Sequence, residues 1–306
     1  MLVILNPNPE ELVYGAVYFG LAAPQIPLYI LTMMAVSTKN QKDSNFTYSL
    51  VNFINFTQIA QSLGHLITSL ILIVPQLWNP SNLIFRLLGC SMIAFYQGEL
   101  PTMAILAICR ILLFKNLIVT EKLPVFAKIF FFLGFCYLVF FFIVGVITSN
   151  WVFTSPGWSF DLSVPYTDFF NKTVFFTCLL CMFISYICYI IIAIMIYRKK
   201  NSMSVSSRKD ELAILGQYTF ITIYTTVALI FWNEAGDWLG FDMNSLAVRA
   251  AMNIGWIAGI YMNPVLLLLL NKPVRLEFIK ICGLSRNHPI NVQTVQSTTS
   301  KSEALF

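Results

Sequence analysis

The chain is 306 residues long, 58% hydrophobic and 15% aromatic, with only 11% charged residues, less than half of the roughly 25% found in an ordinary soluble domain. So much apolar surface with so little charge excludes a water-soluble globule, a disordered chain and a disulfide-rich secreted scaffold, and leaves lipid as the solvent for most residues. The formal net charge of +5 carries no nucleic-acid signature, and its meaning depends on where the basic residues fall.

A helix rises about 1.5 Å per residue and the hydrocarbon slab is about 30 Å thick, so a span needs roughly 20 residues with few or no charges. The long intervals between charged residues predict seven helical spans, near 12–36, 48–74, 83–112, 124–149, 171–197, 211–232 and 247–270. The residues before the first span have neither a basic n-region nor a small-residue cleavage site, so that span is expected to act as the insertion signal. The second is predicted to end near Val74, before the turn-forming Pro75, Trp78, Asn79 and Pro80. Along it Asn52, Asn55, Gln58, Ser62, His65 and Ser69 recur every three or four residues, a face turned toward other helices.

In the third span Glu99 is the only acid inside any of the seven. It precedes Arg110, at the end of that helix, by about 16 Å along the axis. A carboxyl group at that depth needs hydrogen-bonding or ionic partners, and Pro101 beside it predicts a kink. Trp151, Trp158 and Tyr166, between the fourth and fifth spans, are expected to form an interfacial aromatic belt with Trp232 and Trp238. Asn171-Lys172-Thr173 is a glycosylation sequon at the start of the fifth span, with Asn171 as acceptor. In the seventh span Asn253, Asn263 and Pro264 interrupt an apolar run, and Pro264 marks a bend able to move.

Residues 272–282 are predicted to lie along the membrane as a short amphipathic helix. Val274, Leu276, Phe278, Ile279 and Ile281 are its apolar residues, Arg275, Glu277 and Lys280 its polar ones, and Cys282 is a palmitoylation candidate at its end. The domain organisation is thus a seven-helix domain over 1–285 and a polar, flexible tail over 286–306 that offers Thr294, Ser297 and Ser302 for phosphorylation. Of the 19 basic residues, all but Arg86, Lys172 and Arg249 fall in the loops on one side or in the tail. The positive-inside rule makes that side cytoplasmic and puts the N-terminus outside. The fold class is an all-α integral membrane bundle of seven helices followed by a short cytoplasmic amphipathic helix.

The loops are too short to hold a soluble catalytic domain. His65 and His288, the two histidines, fall on opposite sides, so no metal or cofactor site and no enzyme is expected. No lysine lies between Ala250 and Asn271 to form a retinal Schiff base.

The seven spans, Arg110 closing the third helix, Tyr261-Met262-Asn263-Pro264-Val265-Leu266-Leu267 near the end of the seventh and the basic short helix after it resemble the G-protein-coupled receptors of the rhodopsin-like kind. Pro27-Leu28-Tyr29-Ile30 and the stretch from Glu211 to Gln217 are closer to the nematode serpentine chemoreceptors. The departures are Cys109 where an acid usually precedes the arginine, Leu267 where a tyrosine is usual, a sixth helix without proline, and Cys90 without a loop cysteine to pair with. The resemblance implies a chemosensory, olfactory receptor in the plasma membrane, in sensory-neuron cilia, with a heterotrimeric G protein and a small-molecule ligand as partners besides the lipid. It further implies that Arg110 couples to the G protein, and that Glu99, with Asn55, Gln58, Asn263 and Pro264, forms a polar switch holding a cation or a proton. His65, Asn253 and Trp232 are the residues expected to touch a ligand in the outer half. A seven-helix channel or small transporter is the alternative, with Pro24, Pro27 and Pro101 as marks of broken helices.

Overall fold

The structure, a computed structural model, describes residues 8–43, 45–77, 83–115, 117–118, 123–199, 205–242 and 245–284. The expected tail over 286–306 and the turn signal at Trp78, Asn79 and Pro80 lie outside the described residues. In chain order the elements are α1 (Pro9–Asp43), α2 (Phe46–Ile73), a 3-10 turn at Pro75–Leu77, α3 (Leu83–Phe114), α4 (Val125–Thr148), strands β1 (Trp151–Thr154) and β2 (Gly157–Phe160), α5 (Thr167–Arg198), α6 (Val205–Leu239), α7 (Leu246–Leu270) and α8 (Lys272–Ile281). Seven of these helices, α1 to α7, contain stretches long and apolar enough to cross a membrane. The chain is therefore a multi-pass membrane protein built as a seven-helix bundle.

Lipid offers no partner for a free N–H or C=O, so each apolar run closes its own hydrogen bonds as a helix. Several helices run past the slab that sets the minimum span. α1 continues to Asp43, where Lys39 pairs with Asp43 one turn on at 2.9 Å, and α6 extends in both directions beyond the expected 211–232. Caps end the runs: Asn45 accepts from the Thr47 N–H at 3.0 Å, and Asn271 from the Val274 N–H at 3.1 Å to start α8.

α3 packs against α2, α4 and α5 and is the most enclosed of the seven. The peripheral α4 turns Phe130, Phe132, Phe135 and Phe140 outward, as a lipid-facing helix should. α2 and α3 approach so closely at Gly64 that a Cβ there would stand 2.1 Å from Met92. The prolines do not break helices. α1 runs unbroken through Pro24 and Pro27, both exposed on its outer side, and α3 continues through Pro101.

One expectation is corrected. The loop between α4 and α5 is an antiparallel hairpin pairing Trp151 with Phe160 and Phe153 with Trp158, and it buries Trp151 and Trp158 instead of setting them in a belt. The Trp158 ring occupies the space beside Gly89 and its indole N–H donates to Thr68 Oγ1 at 2.8 Å, so the hairpin is anchored on α2 and α3 by a side chain. Cys90 nearby is a buried free thiol. Tyr166 and Trp238 remain exposed, where a belt residue belongs. α8 forms over the residues expected of it and is docked on the bundle. Val274 is fully buried, Phe278 and Ile281 pack into the main core, and Lys42 of α1 holds Glu277 at 2.7 Å.

Candidate functional site

Glu99 is buried on α3 and meets α2 through two amides. Gln58 Nε2 donates to its Oε1 at 2.6 Å and Gln61 Nε2 to its Oε2 at 3.0 Å. The orientation of Gln61 follows from chemistry. An indole N–H only donates, and Trp256 Nε1 donates to Gln61 Oε1 at 2.9 Å, so the Gln61 amide nitrogen must face the carboxylate. Gln58 Oε1 accepts in turn from Asn263 Nδ2 at 3.2 Å and lies 2.5 Å from the Tyr29 hydroxyl.

From Asn263 the network runs to Asn55 Oδ1, which accepts from its Nδ2 at 2.9 Å, and to α6, where Gln217 Nε2 donates to Asn263 Oδ1 at 3.3 Å. Farther out on α1, Ser62 Oγ donates to Gln25 Oε1 at 2.7 Å and Gln25 Nε2 to the Ile257 carbonyl at 2.6 Å. Side chains of α1, α2, α3, α6 and α7 thus share one polar layer. Each is nearly or wholly buried, which is how a bundle in lipid retains amides at all.

The layer separates two cavities. The one on the face that the charge rule places outside has a volume of about 320 Å³ and a floor made by Glu99, Gln58 and Gln61. Tyr96, Trp232 and Trp256 form its aromatic wall, with the Tyr96 and Trp256 ring centroids 5.6 Å apart and those of Trp232 and Trp256 5.9 Å apart. Trp151 and Phe160 of the hairpin also line it. The other cavity, about 370 Å³, opens between the inner ends of α2, α3, α6 and α7 and is bordered by Arg110, Glu211, Gln217 and Tyr218. Arg110 stands 4.0 Å from Glu211 on α6, and its guanidinium lies 5.4 Å over the Tyr218 ring.

Each residue singled out from the sequence has a place in this geometry. Glu99, Asn55, Gln58 and Asn263 belong to the polar layer, and Pro264 is buried beside Asn263. Glu99 touches the two glutamines directly; Asn55 and Asn263 reach it only through Gln58. Trp232 lines the outer cavity, but His65 and Asn253 do not line it. His65 is fully buried with its ring edge-on to Trp256 at 4.9 Å. Asn253 donates to the Arg249 carbonyl at 2.9 Å and fills the space under Gly157 of the hairpin. Both were expected at the ligand; Asn253 bonds its own helix, whereas the two ring nitrogens of His65 are buried without a hydrogen-bond partner among the described residues.

Asn171, the acceptor of the sequon, lies half-buried on α5 and lines the outer cavity. Cys282 caps α8 and is half-buried. Gln61 and Trp256 were not singled out, and Glu211 and Gln217 were marked only as the ends of a stretch that carries the resemblance. Gln61 was recoverable, since it lies three residues from Gln58 on the same helical face; Trp256 carries no local signal. Among the described residues no group of three or more His, Cys, Asp or Glu side chains gathers to hold a metal ion. No protein-family model matches this chain, and no curated protein matches it in sequence.

Proposed function

We propose that this chain is a G-protein-coupled chemosensory receptor of the plasma membrane, akin to the nematode serpentine chemoreceptors. It binds a small molecule in the outer cavity and passes the signal to a heterotrimeric G protein at the inner one. The observation that carries the reading is the short relay between the cavities. Gln217 borders the inner cavity and bonds Asn263, Asn263 bonds Gln58, and Gln58 forms part of the outer floor. A ligand that prefers one arrangement of the floor thereby biases α6, whose inner end is held to α3 by the Arg110–Glu211 pair. Loss of that pair frees the guanidinium for an incoming helix.

The test is nucleotide exchange on purified heterotrimers of the main Gα classes, stimulated by an odorant library applied to the full chain in lipid vesicles. The reading expects exchange with at least one class, and Arg110→Ala to abolish it while the protein still reaches the cell surface and still binds the stimulant. Normal exchange by Arg110→Ala would return Arg110 to the role of a positive-inside charge. A stimulant-dependent conductance with no exchange on any Gα class would overturn the receptor reading in favour of a channel.

A further inference from the structure

We propose that the outer cavity is selective for a small organic ammonium, its charged nitrogen paired with Glu99 and its apolar body held against Tyr96, Trp256 and Trp232. The inference rests on the receptor reading only for its biological purpose, since the site itself is defined by its lining.

The charged group of the cavity floor is an acceptor. A carboxylate offers about four lone-pair sites, and the two amides at 2.6 and 3.0 Å occupy two of them. Glu99 therefore has acceptor capacity left. The Trp256 indole N–H is committed to Gln61, and each of the Gln58 and Gln61 amides spends one of its two N–H bonds on Glu99 itself. Three other polar groups of the wall donate to backbone carbonyls: Thr225 to Ile221 O at 2.9 Å, Asn233 to Leu229 O at 2.8 Å and Tyr224 to Gly255 O of α7 at 2.5 Å. A group rich in N–H finds an acceptor on the floor, and the Trp151 indole N–H of the wall, buried and without a partner among the described residues, is left for a second, accepting group of the ligand.

Charge points the same way. Glu99 is the only ionisable acid or base of the Asp, Glu, Lys, Arg and His kinds among the described lining residues, and none of the ion pairs involves it. An anion would be repelled. A cation would find the carboxylate in a water-poor site and the electron-rich faces of tyrosine and tryptophan beside it, which together offset its desolvation. The volume of about 320 Å³ stands at the small end of ligand sites and suits a molecule of on the order of ten non-hydrogen atoms.

The experiment uses the full chain in nanodiscs and reads tryptophan emission and melting temperature, since Trp151, Trp232 and Trp256 line the cavity. The probes are phenethylamine and isoamylamine, each against the alcohol of the same skeleton. At least one amine should act at concentrations roughly tenfold or more below its alcohol, and the contrast should vanish in Glu99→Gln. The contrast in the parent chain decides the question even if that variant does not fold. The proposal is overturned if neither amine exceeds its alcohol, or if the advantage persists in folded Glu99→Gln. A Glu99-dependent response to sodium chloride over choline chloride, with none to the amines, also overturns it and assigns the carboxylate to an inorganic cation. No G protein is present in these arms, so their failure leaves the receptor reading standing, and that reading falls only on the exchange assay.

Discussion

Replacing Glu99 with leucine tests whether the polar layer holds the bundle as the geometry indicates. The substitution leaves the Gln58 and Gln61 amides, both buried, without their acceptor. An orphaned buried donor costs about 1–3 kcal/mol in soluble proteins, while interhelical bonds in lipid average about 0.6 kcal/mol because the unfolded helices also find partners. Two such losses put Glu99→Leu between about 1 and 6 kcal/mol. The sharper quantity is the coupling to Gln61→Leu. With the Gln61 amide already gone, Glu99→Leu orphans one donor instead of two, so its cost should fall by about half. Glu99→Gln is not neutral either, because it turns a third amide toward two donors, and Gln61 cannot rotate away without forfeiting the Trp256 bond. It should lie between the parent and Glu99→Leu. Reversible unfolding of the four proteins of the cycle in mixed micelles, followed by tryptophan emission, measures the terms. Additive costs for Glu99→Leu and Gln61→Leu would refute the bond and with it the assignment of Gln61 to the cavity floor.

A tag at the N-terminus should label on intact cells and a tag after Phe306 only after permeabilisation; the reverse pattern would overturn the orientation and invert which cavity is outer. The docking of α8 should depend on pH through Glu277, whose carboxyl is held below the usual range first by the hydrogen bond from Lys42 and then by Lys280. A lowered folded-state value means the contribution is complete above the ordinary carboxylate range, about pH 4.3, and is lost as pH falls through the depressed value. The protection factors of the amides over Lys272–Ile281, with the intrinsic pH dependence of exchange divided out, should therefore be flat from neutral pH down to about 5 and fall below the carboxylate range, and Glu277→Gln should remove the step. Because Lys42 is half-exposed, the effect should be small and shrink with added salt. A rise in protection on acidification would refute the pairing.

The seven spans were legible because lipid imposes a minimum uncharged length, and charge gaps measure that length directly. The helix ends were less legible. Lys39 marks the edge of the slab but not the end of α1, which runs on to Asp43, since a helix continues into water once its charges can be solvated. The hairpin was missed although Trp151, Phe153, Trp158 and Phe160 alternate about Ser155 and Pro156, because a search tuned to spans of about 20 residues passes over two strands of four. Glu99 was found by rarity alone, whereas its partners needed the fold. His65, Asn253, Gln58 and Gln61 are all polar residues in apolar helices. Only the crossing of α2, α3 and α7 separates those that pack against their neighbours from those that face the cavity.

The same polar layer bears on how the bundle can work. A channel or transporter needs a path between the two cavities, and the direct route is filled by Gln58, Glu99, Asn55 and Asn263, joined at distances of 2.6 to 3.2 Å and each no more than 7% exposed. Opening that route for an ion would break the bonds from the Gln58 and Gln61 amide nitrogens to Glu99, at a cost of about 1–3 kcal/mol for each donor orphaned. The prolines that suggested broken helices sit in continuous ones. A layer that resists opening is suited to transmitting a change of arrangement. Displacing Trp256 from within the outer cavity would release Gln61 Oε1, and moving Gln58 would release Asn263, the partner of Gln217 on α6. A ligand shifts a population only where it binds one of two arrangements more tightly than the other, so on the receptor reading the releases of Gln61 Oε1 and of Asn263 are the changes a bound molecule has to stabilise.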